Sequence, residues 1–109
     1  MSLSDIINED KAGHAYLWLG EHDHEYAQAR VALEHAEILR KRVRARIFLT
    51  SDGTVAERQA QAETASDTQQ ADDDYIKALA HKEQLHAVRQ RAELTIEVWR
   101  SLNANQRRT

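Results

Sequence analysis

RKRVRARIFLTSDGTVAER, residues 40–58, is the stretch on which the fold of this chain turns. It opens with five cations, Arg40, Lys41, Arg42, Arg44 and Arg46, and no acid. An apolar step, Ile47-Phe48-Leu49, follows, and then the turn signal Thr50-Ser51-Asp52-Gly53. Gly53 can take the left-handed conformation that ends a helix. Thr54-Val55-Ala56-Glu57 reads as a capping box: the Thr54 hydroxyl accepts from the backbone of Glu57, and the Glu57 side chain reaches back. One helix therefore stops near Thr50 and a second starts at about Val55.

Upstream, residues 21–50 carry the pattern of one long helix. Tyr26, Ala29, Leu33, Ala36, Val43 and Ile47 recur on one face at three- and four-residue steps. Glu37 and Lys41 form a well-oriented i,i+4 pair. Arg40 stands in the middle of the apolar stripe, where a leucine is expected. It can bridge to an acid on a facing helix, snorkel outward or face a ligand. Residues 1–20 are expected to form a short N-terminal helical segment capped by Ser2 or Ser4, with Gly20 marking a break.

Downstream, residues 55–64 read as a short capped helix. Ser66-Asp67-Thr68-Gln69 is a second capping signal, and a last long helix is expected over 67–104. Asp72, Asp73 and Asp74 fall in its early turns, where negative charge is favoured. Ala78, Leu85, Val88, Ala92, Ile96, Trp99 and Leu102 make its apolar face, with His81 among them.

Composition supports long helices. The 109 residues contain no proline and 3 glycines, so little interrupts a helix. There is no cysteine, which excludes disulfides and thiolate chemistry. No apolar run approaches the roughly 18 residues of a membrane span. The acidic N-terminus is unlike a signal peptide, so a cytoplasmic location is expected. There is no Gly-x-Ser-x-Gly motif or phosphate-binding glycine loop, and the chain is not expected to be an enzyme.

Net charge is −3, but its distribution is blocked. Residues 1–39 are acidic, 40–49 purely basic, 50–76 acidic and 77–109 basic. An antiparallel pairing of the two long helices puts each acidic block against a basic one. The fold class is therefore all-α: an antiparallel helical hairpin with a short capped helix after the turn and a short N-terminal helix. A chain so short and polar buries little core alone, so an oligomeric bundle is expected.

The basic block also suits a polyanion. Arg40, Lys41, Arg42, Arg44 and Arg46, joined by Arg89 and Arg91 and by Arg107 and Arg108 at the end of the chain, make a candidate nucleic-acid surface. Trp18, Tyr26, Leu33, Leu85, Val88 and Trp99 make a candidate oligomer or partner interface, through residue types common at binding hot spots and in apolar seams. Glu21-x-x-His24 and Glu83-x-x-His86 have the spacing of bundle metal motifs. In an antiparallel hairpin the two motifs do not meet, so neither a metal site nor a cofactor is expected.

The stretch Arg44-Ala45-Arg46-Ile47-Phe48-Leu49, the turn at Asp52-Gly53, the capped Thr54-Val55-Ala56-Glu57-Arg58, Tyr75 and the closing stretch Ile96-Glu97-Val98-Trp99-Arg100-Ser101-Leu102-Asn103-Ala104-Asn105 resemble small helical accessory proteins of tailed phages and prophages. The layout over residues 25–105 is similar to that of the UvsY family of phage recombination mediators. The resemblance implies a homo-oligomer that binds single-stranded DNA and assists a recombinase in the host-cell cytoplasm. The alternative is a non-enzymatic module that binds and inhibits or adapts a phage or host protein without touching nucleic acid.

Overall fold

A computed structural model describes residues 2–108. Four helices follow in order: α1 (Leu3–Ile6), α2 (Glu9–Thr50), α3 (Val55–Thr64) and α4 (Ser66–Arg108). No strand occurs among the described residues. α2 and α4 pack antiparallel, as the charge blocks predict. The contacts between them run in opposite order: Asp23 meets Arg89 and Tyr26 meets His86, while Arg44 meets Asp72 and Arg46 meets Asp67.

The start of the chain differs from expectation. α1 is a single turn, in which the Ser2 backbone N–H and hydroxyl both donate to the Asp5 carboxylate, each at 2.9 Å. The chain then restarts at Asn8, whose side-chain oxygen accepts from the Lys11 backbone at 3.0 Å as a cap for α2. The break expected at Gly20 is absent, because α2 runs unbroken through both Gly13 and Gly20. A glycine weakens a helix by only about 1 kcal/mol, which the long flanking turns and their packing outweigh.

The turn forms as its residues dictate. The Thr50 and Ser51 hydroxyls donate back to the carbonyls of Arg46 and Ile47. Gly53 takes φ 113°, and a Cβ there would lie 2.6 Å from Glu57 Oε2. The Glu57 backbone donates to Thr54 Oγ1 at 3.2 Å, and that hydroxyl donates to the Glu57 carboxylate at 3.2 Å. Arg58 ties α3 back to the end of α2, donating to the Phe48 carbonyl at 3.0 Å with its guanidinium over the Phe48 ring.

The α3–α4 bend falls at Ala65, one residue before the expected boundary. Thr68 is fully buried there, and its hydroxyl donates to the Ala62 carbonyl at 2.5 Å across the bend. That bond satisfies a carbonyl at the end of α3 that has no partner within its own helix. On α4, Tyr75, Ala78, Leu79, Lys82, Leu85 and His86 are half-buried. His81 does not share that face. It is exposed, because the covered face advances through residues 75, 78–79, 82 and 85–86 and leaves position 81 on the outer side.

The chain divides into two compact units, one of Met1–Ala27 with Gln84–Thr109 and one of Gln28–Glu83. In the first, Ala12 is buried. In the second, Ala29, Ala36, Ala62 and Thr68 are buried. Among the described residues every fully covered apolar side chain is therefore an alanine, while large apolar side chains such as Val31, Leu49 and Leu94 stay more than half exposed. Thr68→Val should lower unfolding stability by about 1–2 kcal/mol, since it leaves the buried Ala62 carbonyl without a donor. Urea denaturation followed by helical circular dichroism measures this. An unchanged midpoint would show that the bend does not depend on the bond.

Candidate functional site

The basic block lies on the last turns of α2, within the unit Gln28–Glu83. Helical periodicity fans its five cations around the axis, so they do not share one face. Arg44 points at both following helices. Its Nε and Nη2 donate to Glu63 of α3 at 2.8 and 3.3 Å. Its Nη1 and Nη2 donate to the two oxygens of Asp72 of α4 at 2.8 and 2.6 Å. One guanidinium therefore holds two carboxylates, each in the bidentate geometry that arginine favours. The hydrogen bonds to Asp72 and Glu63 raise the Arg44 pKa above its ordinary value, and those from Arg44 hold the Asp72 carboxyl below the usual carboxylate range.

Arg40 takes the first of its three fates. Its guanidinium lies 4.4 Å from the Tyr75 ring centroid, and its Nε is 3.9 Å from Asp72. An arginine in the apolar stripe is tolerated because an aromatic face and a carboxylate meet it there. Arg46 reaches Asp67 at 3.3 Å, and Lys41 pairs with Glu37 on its own helix at 3.4 Å. Arg42 is exposed and forms no ion pair among the described residues.

In the other unit, Arg89 donates to Asp23 at 2.6 Å and lies over the Tyr26 ring, 4.7 Å from its centroid. The Tyr26 hydroxyl is 3.2 Å from His86 Nδ1. Arg91 and Arg107 are exposed, and the Arg108 side chain lies outside the described residues. Of the nine cations named for nucleic acid, Arg40, Lys41, Arg44, Arg46 and Arg89 are thus engaged with carboxylates, while Arg42, Arg91 and Arg107 are exposed with no ion pair among the described residues. Glu63 is a partner that charge counting missed. It sits on α3, which the turn at Asp52-Gly53 brings back beside α2.

Trp18 is half-buried, its ring stacked on His22 at 4.2 Å. Leu33, Leu85 and Trp99 are half-buried in their own units, and Val88 is exposed. His86 of the second Glu-x-x-His motif faces Tyr26, while His24 of the first is exposed. Among the described residues no three His, Asp or Glu side chains converge to hold a metal ion. No described helix is long and apolar enough to cross a membrane.

One concave surface stands out in the unit Gln28–Glu83: a groove of about 500 Å³ between α2 and α4. Its apolar lining comes from Ala32, Ala36, Leu39 and Val43 on α2 and from Ala71 and Ala78 on α4. Its α2 rim carries His35 and Arg46, and its α4 rim carries Asp67, Gln70 and Asp74. The sequence marks Ala36, Val43, Arg46, Asp67, Asp74 and Ala78 singly but not the groove they share, because alanines at these positions read as helix formers.

The chain matches no protein-family model, no curated protein and no solved structure.

Arg44→Ala should destabilise the fold by about 1 kcal/mol, because it leaves Glu63 unpaired and Asp72 with only the 3.9 Å contact to Arg40. Asp72 gives this unit a pH dependence with a definite sign. Its folded pKa is depressed, so its contribution is present above the unfolded carboxylate value of about 4 and is lost as pH falls through the lower folded value. Denaturation midpoints measured from pH 6 to pH 2 should fall more steeply in the parent than in Asp72→Asn. Parallel curves would show that the pair contributes nothing to stability.

Proposed function

We propose that this chain is a non-enzymatic helical interaction module whose open apolar faces are covered by protein. The observation that carries the reading is the coverage of apolar side chains. Among the apolar side chains of the described residues only alanines are fully buried, while Tyr16 at 71%, Val31 at 69% and Leu49 at 72% remain exposed. Large apolar side chains left in water are what protein–protein contacts cover. Homo-oligomerisation belongs to this reading.

The single-stranded DNA reading, with a recombinase as partner, has a narrower base. Phosphate binding gains its free energy when cations free to engage neutralise phosphates and release the nucleic acid's condensed counterions. Arg40, Arg44, Arg46 and Arg89 already hold carboxylates, and the exposed Arg42, Arg91 and Arg107 are divided between two units. A phage origin rests on the resemblance of layout alone.

Two measurements on the same samples test the choice. Molar mass is followed across concentration and salt, and single-stranded DNA binding is followed by fluorescence anisotropy in the same salt series. The interaction module should associate beyond its chain mass in a way that salt does not weaken, with no DNA affinity at physiological salt. DNA binding that falls steeply with salt and is lost in Arg42→Gln with Arg91→Gln would overturn it in favour of the recombination-accessory reading.

A further inference from the structure

In the unit Gln28–Glu83, α2 carries a second apolar stripe on the side turned away from α4. Its inward side holds the buried Ala36 and the arginines Arg40 and Arg44 that reach Asp72. Val31, Ile38 and Ala45 recur at seven-residue steps and are all exposed, Val31 at 69% and Ile38 at 45%. At 3.6 residues per turn, Ile38 lies roughly 160° around the axis from both Ala36 and Arg40. None of the three lines the groove between α2 and α4.

Two charges interrupt this stripe. Glu34 and Arg42 are exposed, and neither forms an ion pair among the described residues. Arg42 has no acid three or four residues away on its own helix, the spacing at which helical pairs form. Glu34 and Arg42 stand two turns apart, about 12 Å along the axis, so they do not meet each other. Both charges are free to engage a partner.

The order of these residues specifies the occupant. Val31, Glu34, Ile38, Arg42 and Ala45 follow at steps of three, four, four and three. The spacing reads the same from either end, and reversal exchanges acid for base. A two-fold axis through Ile38, perpendicular to the helix, lays α2 of a second copy antiparallel on this face. Glu34 of each copy then comes level with Arg42 of the other, and Val31 meets the small Ala45, so a projecting side chain finds a hollow. Parallel stacking sets Arg42 on Arg42 and Glu34 on Glu34. Like charges meeting at an interface oppose it.

We infer that the outer face of α2 from Val31 to Ala45 is the docking site for a second copy of this chain, seated antiparallel about Ile38. The inference rests on the interaction-module reading and adds to it the identity of one partner, the surface used and the orientation. The apolar residues supply the affinity, and the charges choose the orientation. The face spans about 21 Å of helix, short for a specific interface, so the dimer is reversible with a dissociation constant on the order of 10 μM.

The test uses the full chain and sedimentation equilibrium. The parent should approach twice 12.5 kDa as loading rises. Ile38→Glu should raise the dissociation constant about a hundredfold with helical content unchanged, because it sets two unpaired carboxylates together on the axis. Glu34→Arg should raise it about tenfold, and adding Arg42→Glu to the same chain should restore the parent value, since acid and base then only change places. Ala32→Glu, exposed on α2 but in the groove, should leave the dimer intact. The chain has no cysteine, so single cysteines report orientation without background. Val31→Cys chains mixed with Ala45→Cys chains should form the mixed disulfide in preference to either homodisulfide.

A parent that stays monomeric up to its solubility limit overturns the second copy as occupant. A parent that associates while Ile38→Glu associates equally well overturns this face and leaves the interaction module standing. Failure of the charge exchange to restore the dimer, or homodisulfides in excess, overturns the orientation. Steep, salt-sensitive DNA binding by a monomer would overturn the module itself, so the failures are distinct.

Discussion

The double clasp of Arg44 on Glu63 and Asp72 is the constraint around which the turn end of this protein is arranged. Two carboxylates on different helices can meet one guanidinium only if α3 returns beside α2 and α4 starts where it does. The clasp therefore fixes three things together: the register of α4 on α2, the bend at Ala65 and the placement of α3. Arg40, Arg46 and, in the other unit, Arg89 extend the same logic. Each is individually modest, since the pairs are partly solvated. Their value lies in direction. A slip of one helical turn along the seam would separate cations from acids at several places at once, and sliding is what a seam of alanines by itself does little to prevent.

Alanine explains the other half of the design. With Ala29 and Ala36 buried in the second unit and Ala12 in the first, the helices are joined by small side chains that bury little area each. At about 25 cal/mol per Å², such a seam supplies less than leucine layers would. The larger apolar residues are then left half-covered or exposed, and the groove beside the seam has an apolar lining with charged rims. Long helices also gain most of their stability from packing and not from propensity. The hairpin's own pairing thus leaves apolar surface uncovered.

The fold was legible because charge order and turn chemistry pointed the same way. The acidic, basic, acidic, basic sequence of blocks predicts an antiparallel pair, and Gly53 with the Thr54–Glu57 cap places the reversal. The Arg40 position in the stripe was visible as an anomaly, and Tyr75 with Asp72 resolves it. What could not be read was anything set by the exact partner across space. Glu63 becomes a ligand of Arg44 only through the exact return of α3 beside α2. His81 looked apolar-facing because a 3.6-residue period tolerates a position on either edge of a stripe over several turns. Gly20 looked like a break because propensity is local, whereas α2 is held by contacts along its whole run. Asn8 was the missed cap, hidden among the acids of Ile7-Asn8-Glu9-Asp10, where each polar residue is an equally good first-turn signal.

The same geometry bears on how a run of cations should be weighed. In the sequence, five positive charges in seven residues look like a surface waiting for phosphate. In the fold, a phosphate approaching Arg44 must displace two bidentate carboxylates, and one approaching Arg40 must compete with an aromatic face and Asp72. The released acids would then stand beside the incoming anion and repel it. Net affinity at such a site is the phosphate interaction less the lost pairs and the new repulsion, and fewer counterions leave the nucleic acid because a cation held by carboxylates neutralises fewer phosphates. Only cations outside the seam escape this competition. A basic block beside an acidic one on the facing helix is therefore weaker evidence for nucleic acid than the same block facing water, and here the charges serve first to hold α2, α3 and α4 in register.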